Sequence, residues 1–367
     1  MTVKVFRSTD FGAPANTNAA GALIAILDAC LVNGYGSQTV TSITRTGAVA
    51  TVTLPAAHLL KGGTFVRISG ATQTDYNGDF AITVTGANTF TYTVANSPAT
   101  PATGIITSKV APADWTKPFT GTNVAAFKQG AGSNGMYLRV SDTTTAFARV
   151  KAFEVMTDIS TGTGDFPTEA QATGGKYFHK NAGTTINTTV GYWVIVATEK
   201  ALFALIHNAN CPVLHFFGDF TSNKSGDIYN TIFAMADSST DGTATLSSAT
   251  SGLAVSASHY LARNHTQIGT AIQANKITTL GLGISGNGGI PAYPCAIDNA
   301  LHLSPFLITE PAGIRGKLPC FWNILHTKPF ANFDIITGTG DFTGKKFIAL
   351  DVYTGNYQIA LEISNTW

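Results

Sequence analysis

Between Gln38 and Lys109, six short segments alternate apolar and polar side chains: Val40–Arg45, Val49–Leu54, Thr64–Ser69, Asp79–Thr85, Thr89–Val94 and Gly104–Lys109. A period of two places successive side chains on opposite faces, so the pattern predicts half-buried antiparallel strands. Turn residues punctuate it at Thr46-Gly47, Asn77-Gly78, Gly86-Ala87-Asn88 and Ser97-Pro98-Ala99-Thr100-Pro101, each supplying the positive φ or Pro-fixed geometry of a chain reversal. A stretch of about seventy residues so patterned can bury a core of its own only as a small β module.

The flanking chain predicts the same class. Strands are expected at Val124–Lys128, Met136–Val140, Ala146–Val155, Tyr192–Thr198, Ala201–His207 and Val213–Phe220, with a hairpin through Glu199-Lys200. Further strands are expected at Lys276–Leu280, Leu301–Thr309, Gly316–Ile324, Lys346–Val352 and Tyr357–Ile363. Asp227–Ala236 fits a strand or a short helix, and Ala254–Ile272 reads as a short helix. One N-terminal helix is expected, capped by Asn16, Thr17 or Asn18, with Leu23, Ile24, Leu27, Cys30 and Leu31 on one face and Gly34 as its stop.

The expected fold is therefore all-β, of antiparallel sandwiches or barrel-like subdomains with one N-terminal helix. Residues 1–37 and 110–236 form a body and its first β subdomain, 38–109 an inserted domain, 237–300 a loop-rich connection, and 301–367 a second β subdomain. The chain leaves the body near Gly34-Tyr35-Gly36 and returns near Asp114-Trp115, so these points must lie close together, and the insert is expected to share few contacts with its host.

An internal repeat relates the two subdomains. Asp158-Ile-Ser-Thr-Gly-Thr-Gly-Asp-Phe166 recurs as Asp334-Ile-Ile-Thr-Gly-Thr-Gly-Asp-Phe342, eight of nine positions matching, and each copy is followed by Gly-Lys-x-Phe, Gly175–Phe178 and Gly344–Phe347. Identical context predicts the same turn used twice, with Asp accepting backbone N–H bonds and Phe166 or Phe342 anchoring the core.

The run VTSITRTGAVATVTLPAAHLL, continued by GTFVRISGATQTDYNGDFAITVTGANTFTYTV, resembles the immunoglobulin-like modules of structural proteins in tailed bacteriophages. Outside it, LVNGYGS (Leu31–Ser37), ADWTKPFTGTN (Ala113–Asn123), FFGDFTSNKSGD (Phe216–Asp227), GIRGKLPCFW (Gly313–Trp322) and LEISNTW (Leu361–Trp367) resemble tail-region virion proteins of such phages. The resemblance implies a non-enzymatic structural component of the particle, in the tail or baseplate, assembled in the host cytoplasm, with the inserted module projecting outward. Its implied partners are other virion proteins and copies of itself. A carbohydrate- or receptor-binding virion protein and a head decoration protein are the alternatives.

Charge and cysteine usage bound the function further. Only 12% of residues are charged, where an average domain has about 25%, which suits a hydroxyl-rich β surface covered by neighbours. A net charge of +1 supplies no field for nonspecific nucleic-acid binding, so no nucleic-acid partner is expected. Ala19–Val32 is too short to span a bilayer and contains Asp28, so no membrane insertion is expected either. Cys30, Cys211, Cys295 and Cys320 have no C-x-x-C spacing and read as buried free thiols.

No cofactor, metal or catalytic set is expected. Gly281-x-Gly283-x-x-Gly286 lacks the helix that a dinucleotide site needs behind it, because Pro291 and Pro294 follow. Asp237-x-Ser239-x-Asp241-Gly242 opens like a calcium loop, but Ser248 stands where the closing Glu belongs. Asp165 and Asp341 would suit glycoside hydrolysis only if the subdomains faced each other. His207 with His215, and His259 with His265, lack a third ligand at metal spacing. Exposed aromatics remain as interface or glycan contacts: Trp115, Phe119, Phe216 and Trp367, whereas Trp193 and Trp322 read as core.

Overall fold

The computed structural model describes residues 2–145, 147–181, 191–207, 212–234, 259–277, 292–352 and 357–364. Strand β1 (Lys4–Arg7) leads to helix α1 (Ala22–Asp28), which ends in a π turn, Ala29–Asn33, before Gly34. The cap is not a side chain of the Asn16–Asn18 run. Gly21, at φ 84°, takes the N-cap, and Asp142, distant in sequence, satisfies the helix: its Oδ2 accepts from Leu23 N (2.7 Å), its carbonyl from Gly21 N (2.8 Å). Lys180 Nζ lies 2.5 Å from Asp142 Oδ1.

The module comprises β2 (Tyr35–Thr39), β3 (Ser42–Thr46), β4 (Val49–Thr53), β5 (Phe65–Ala71), β6 (Gly78–Ala81), β7 (Thr83–Val84), β8 (Thr89–Thr93) and β9 (Gly104–Val110). They form two four-stranded sheets, β2-β9-β5-β6 and β3-β4-β8-β7, packed as a sandwich. The chain starts in one sheet as β2 and crosses to the other as β3. Ile43, Val52, Phe90, Val66 and Ile68 fill the space between the sheets, and Phe80 stacks on Tyr92 with centroids 4.2 Å apart. Tyr35 pairs with Val110 across the first and last strands, and Ala113 N and Trp115 N donate to Cys30 O and Leu31 O, both at 2.9 Å. The module's entry and exit therefore lie side by side.

Beyond the two sheets of the module comes a sheet of the body, called the second sheet below: β10 (Thr116–Gly121), β11 (Val124–Lys128), β12 (Tyr137–Ser141), β13 (Phe147–Met156) and β14 (Gly162–Phe166) in sequential order, with β15 (Lys176–His179) also on β13. Next come β16 (Trp193–Ala197), β17 (Ala201–His207), β18 (Pro212–Asp219), β19 (Thr221–Ser222), β20 (Thr231–Ala234), β21 (Tyr260–Leu261) and β22 (Ile272–Gln273). All but β19 join β1 in a seven-stranded sheet, β1-β16-β17-β18-β20-β21-β22. The last sheet holds β23 (Asn275–Ile277), β24 (Leu303–Glu310), β25 (Gly313–Ile324), β26 (Ile335–Thr337), β27 (Lys346–Val352) and β28 (Tyr357–Glu362), with β19 added to β25.

The β1-containing sheet is the middle layer. One face, with Phe6, Trp193, Ile195, Leu202, Ala204 and Phe217, shares a core with the helix, the module and the second sheet. The other face, with Val5, Val194, Val196, Phe203, Leu205 and Phe216, packs on Phe306, Phe321, Ile348, Leu350 and Leu361 of the last sheet. Burial on both faces explains why β16 and β17 read as unbroken apolar runs where the module alternates.

Three expectations are corrected here. The described part of Ala254–Ile272 contains strand β21 and the first residue of β22 and no helix, because Tyr260 and Leu261 are needed as rungs beside β20. The repeat does not fold twice alike: Gly162–Phe166 is a strand paired to β13 with Phe166 fully buried, whereas Gly340–Phe342 is a 3-10 turn with Phe342 half-buried. What the copies share is backbone, since Gly164 and Gly340 (φ 64° and 58°) and Gly175 and Gly344 (φ 97° and 83°) are all left-handed. Finally, the insert and its host meet in an extensive seam and a continuous core, because β1 lies against the base of the sandwich.

Candidate functional site

That seam carries a polar site that joins separate parts of the chain. Lys4, on β1, is 5% exposed and reaches Asp79 Oδ2 (2.8 Å), Asp114 Oδ2 (3.0 Å) and Pro112 O (2.5 Å). Arg67, on β5, holds Asp79 with two bonds, Nε to Oδ1 at 2.6 Å and Nη2 to Oδ2 at 2.9 Å, and reaches Asp114 Oδ1 at 2.8 Å. Two cations thus share two carboxylates, one from the module and one from the returning chain. Burial alone would raise the pKa of Asp79, but the bonds from Arg67 and Lys4 outweigh it and hold the carboxyl below its ordinary value.

At the other end of β1, Arg7 Nη2 donates to Gly62 O (2.7 Å) and Nη1 to Thr64 Oγ1 (3.2 Å), while Tyr35 Oη donates to Asp10 Oδ2 (2.8 Å). Burial pushes the Asp10 carboxyl and the Tyr35 phenol up. The chemistry on display is that of a clamp, two cations shared between two carboxylates, beside an open cleft of about 390 Å³ lined by Thr2, Phe65, Ala131 and Glu199 among others.

A second charged site sits where the other sheets meet. Arg315 on β25 is buried, with Nε and Nη2 on Asp227 (2.8 and 2.9 Å) and Nη1 on Glu310 Oε2 (3.0 Å). Glu310 also holds the half-exposed ring of His265 through Nδ1. Arg263 is fixed by both carboxylate oxygens of Glu154, each at 2.7 Å. A carboxylate-oriented imidazole at a cleft is a familiar acid–base pair, but the contacts that Glu310 and Arg315 make serve equally to tie β24, β25 and the 223–230 loop together.

The aromatic candidates fare differently. Trp115 is 3% exposed; its Nε1 donates to Thr198 O (2.7 Å) and its ring meets Phe217 edge-on, so it is a core residue and no glycan platform. Phe216 is fully buried against Phe203, because the middle layer has no solvent face. Phe119 is half-buried and stacks on Tyr137 on the outer face of the second sheet, so it alone of the described candidates reaches the surface. Trp367 lies outside the described residues, as do Gly281–Gly286, Asp237–Gly242 and Cys211. Trp193 is buried and donates to Pro14 O, and Trp322 is half-buried.

Asp165 and Asp341 are not brought together: Asp165 pairs with Lys151 at 2.6 Å in the second sheet, and Asp341 is exposed in the last. His215 stacks on Phe178 and His179 in the core, apart from any three-ligand cluster. The described residues do contain one such cluster, at Cys295, Asp298 and His302, which sequence reasoning missed although C-x-x-D-x-x-x-H is legible there. None of Cys30, Cys295 and Cys320 is in a disulfide, and of these only Cys30 is buried, where desolvation pushes its thiol up.

No protein-family model matches the sequence, and no curated protein matches it.

Proposed function

We propose that this chain is a non-enzymatic structural component of a tailed-phage particle, of its tail or baseplate, in which the 35–110 sandwich is a presented module. The observation that carries the reading is the sandwich's strand order. The sheet β3-β4-β8-β7 follows the A-B-E-D order of an immunoglobulin domain, and β6-β5-β9 follows C′-C-F, with β2 antiparallel beside β9 where strand G would lie. A separate strand G would carry the chain out at the far end. Because the first strand fills that place, the excursion ends where it began, which suits a module set into a host fold.

The clamp of Lys4, Arg67, Asp79 and Asp114 supports the same reading, since it fixes the module's orientation on the body. The opposite end carries exposed Val49 and Ile105, at 47% and 85% exposure, which suit contact with a neighbouring chain. Mass spectrometry of gradient-purified particles is the test, with gold labelling of the module to locate it. The chain is expected in particles at a fixed ratio to known tail proteins; free chain in infected-cell extracts with none in particles overturns the reading.

A further inference from the structure

We propose that the loop Cys295–His302 binds a divalent transition-metal ion of the zinc type through Cys295 Sγ, an Asp298 carboxylate oxygen and His302 Nε2. One sulfur, one oxygen and one nitrogen donor stand within 4.8 Å of one another. In a tetrahedral zinc site, with bonds of about 2.0–2.3 Å, neighbouring donors are roughly 3.3–3.8 Å apart, so the spread of up to 4.8 Å has to close by about 1 Å while the hydrogen-bonded Asp298–His302 pair, at 2.8 Å, opens by about 0.5 Å.

The loop is built to hold them. Asn299 N donates to Cys295 O (2.8 Å) and Cys295 N to Ala300 O (3.3 Å), closing a tight turn with Asn299 at φ 56°. Ala300 N donates to Asp298 Oδ1 (3.1 Å), which orients the carboxylate. His302 Nε2 already lies 2.8 Å from Asp298 Oδ2, and the residue is anchored from both sides, its N–H donating to His326 Nε2 (2.8 Å) and its carbonyl accepting from Leu325 N (3.0 Å).

The donor set selects the metal. Thiolate with imidazole suits zinc or cobalt, whereas magnesium and calcium take oxygen ligands. Three protein ligands leave a fourth position, and Asp298 and His302 line an open cleft of about 470 Å³ whose opposite wall is Thr339–Phe342, the second copy of the repeated motif. Binding displaces the thiol proton of Cys295 and the proton that His302 Nε2 shares with Asp298 Oδ2, and both pass to solvent.

Cobalt(II) titration of the full-length, metal-free protein tests this. One equivalent should produce the near-ultraviolet thiolate-to-cobalt band and the intense visible bands of tetrahedral cobalt, and zinc should displace both. Cys295→Ser should abolish the thiolate band with Cys30 and Cys320 intact, and His302→Ala should weaken binding at least tenfold. Thermal unfolding of each metal-free variant should match that of the parent, separating ligand loss from misfolding. Absence of the thiolate band in the parent, or its persistence in Cys295→Ser, overturns the proposal and leaves the loop an Asp298–His302 surface pair.

Discussion

Asp142 and Lys180 are sealed from solvent, their side chains 0% and 1% exposed, and between them they organise the start of α1. Lys180 Nζ donates to Ala19 O (2.9 Å) and Thr144 O (2.6 Å) besides Asp142, so all three ammonium protons are used. Removing one partner strands the other as a buried charge and, for Asp142, also uncaps the helix. Asp142→Ala is expected to cost about 3–5 kcal/mol in urea unfolding, and Asp142→Ala with Lys180→Met distinctly less. At Trp115, lost packing and an orphaned Thr198 carbonyl predict a cost of about 3–5 kcal/mol for Trp115→Ala. If that variant were instead as stable as the parent and lost a glycan affinity, the core assignment of Trp115 would be wrong.

At the scale of elements, the repeated motif offers a matched pair of substitutions. A Cβ on Gly164 would stand 2.5 Å from the side chain of Glu154, which holds Arg263, whereas nothing lies within 4 Å of one on Gly340. Both positions are left-handed, so each carries a backbone penalty of about 1 kcal/mol, and Gly164→Ala adds the clash. Gly164→Ala should therefore unfold at clearly lower urea than Gly340→Ala. The seam between β1, β5 and β6 gives a pH dependence. Asp79 is held below its ordinary value of 3.8, so its contribution is present above about that pH and is lost as pH falls through the lower folded value. Loosening of the module, followed by limited proteolysis, is expected below about pH 3.8 in the parent, and Asp79→Asn should show the loosened state at neutral pH as well.

Strand positions were legible because a period of two, or an unbroken apolar run, marks them locally; Val124–Lys128, Ala201–His207 and Lys346–Val352 fall where the pattern sets them. Which faces those strands bury is a property of layers, so Phe216 read as exposed when it lies between two sheets. The clamp was invisible for the same reason: Lys4 meets Asp79 and Asp114 across 75 and 110 residues, and no spacing rule reaches that far. The helix cap at Asp142 is another such long-range contact.

Across the whole molecule, one apolar core runs from the sandwich through α1 to Trp193 and Phe217. Calorimetry should accordingly record a single transition for module and body; two well-separated ones would show that the seam does not couple them. Replacing residues 38–109 by a short Gly/Ser linker should leave a folded body of lower melting temperature, because Lys4 and Arg7 lose Asp79, Gly62 and Thr64. The pairing of Tyr35 with Val110 has a mechanical side. If the body is pulled by its two ends, tension enters and leaves the module through adjacent points, crosses at the rungs that join Cys30 to Ala113, Leu31 to Trp115 and Tyr35 to Val110, and stretches none of the strands beyond them. The sandwich hangs beside the line of force like a pendant on a chain, so a shock passing through the body would open the clasp before it strained the jewel.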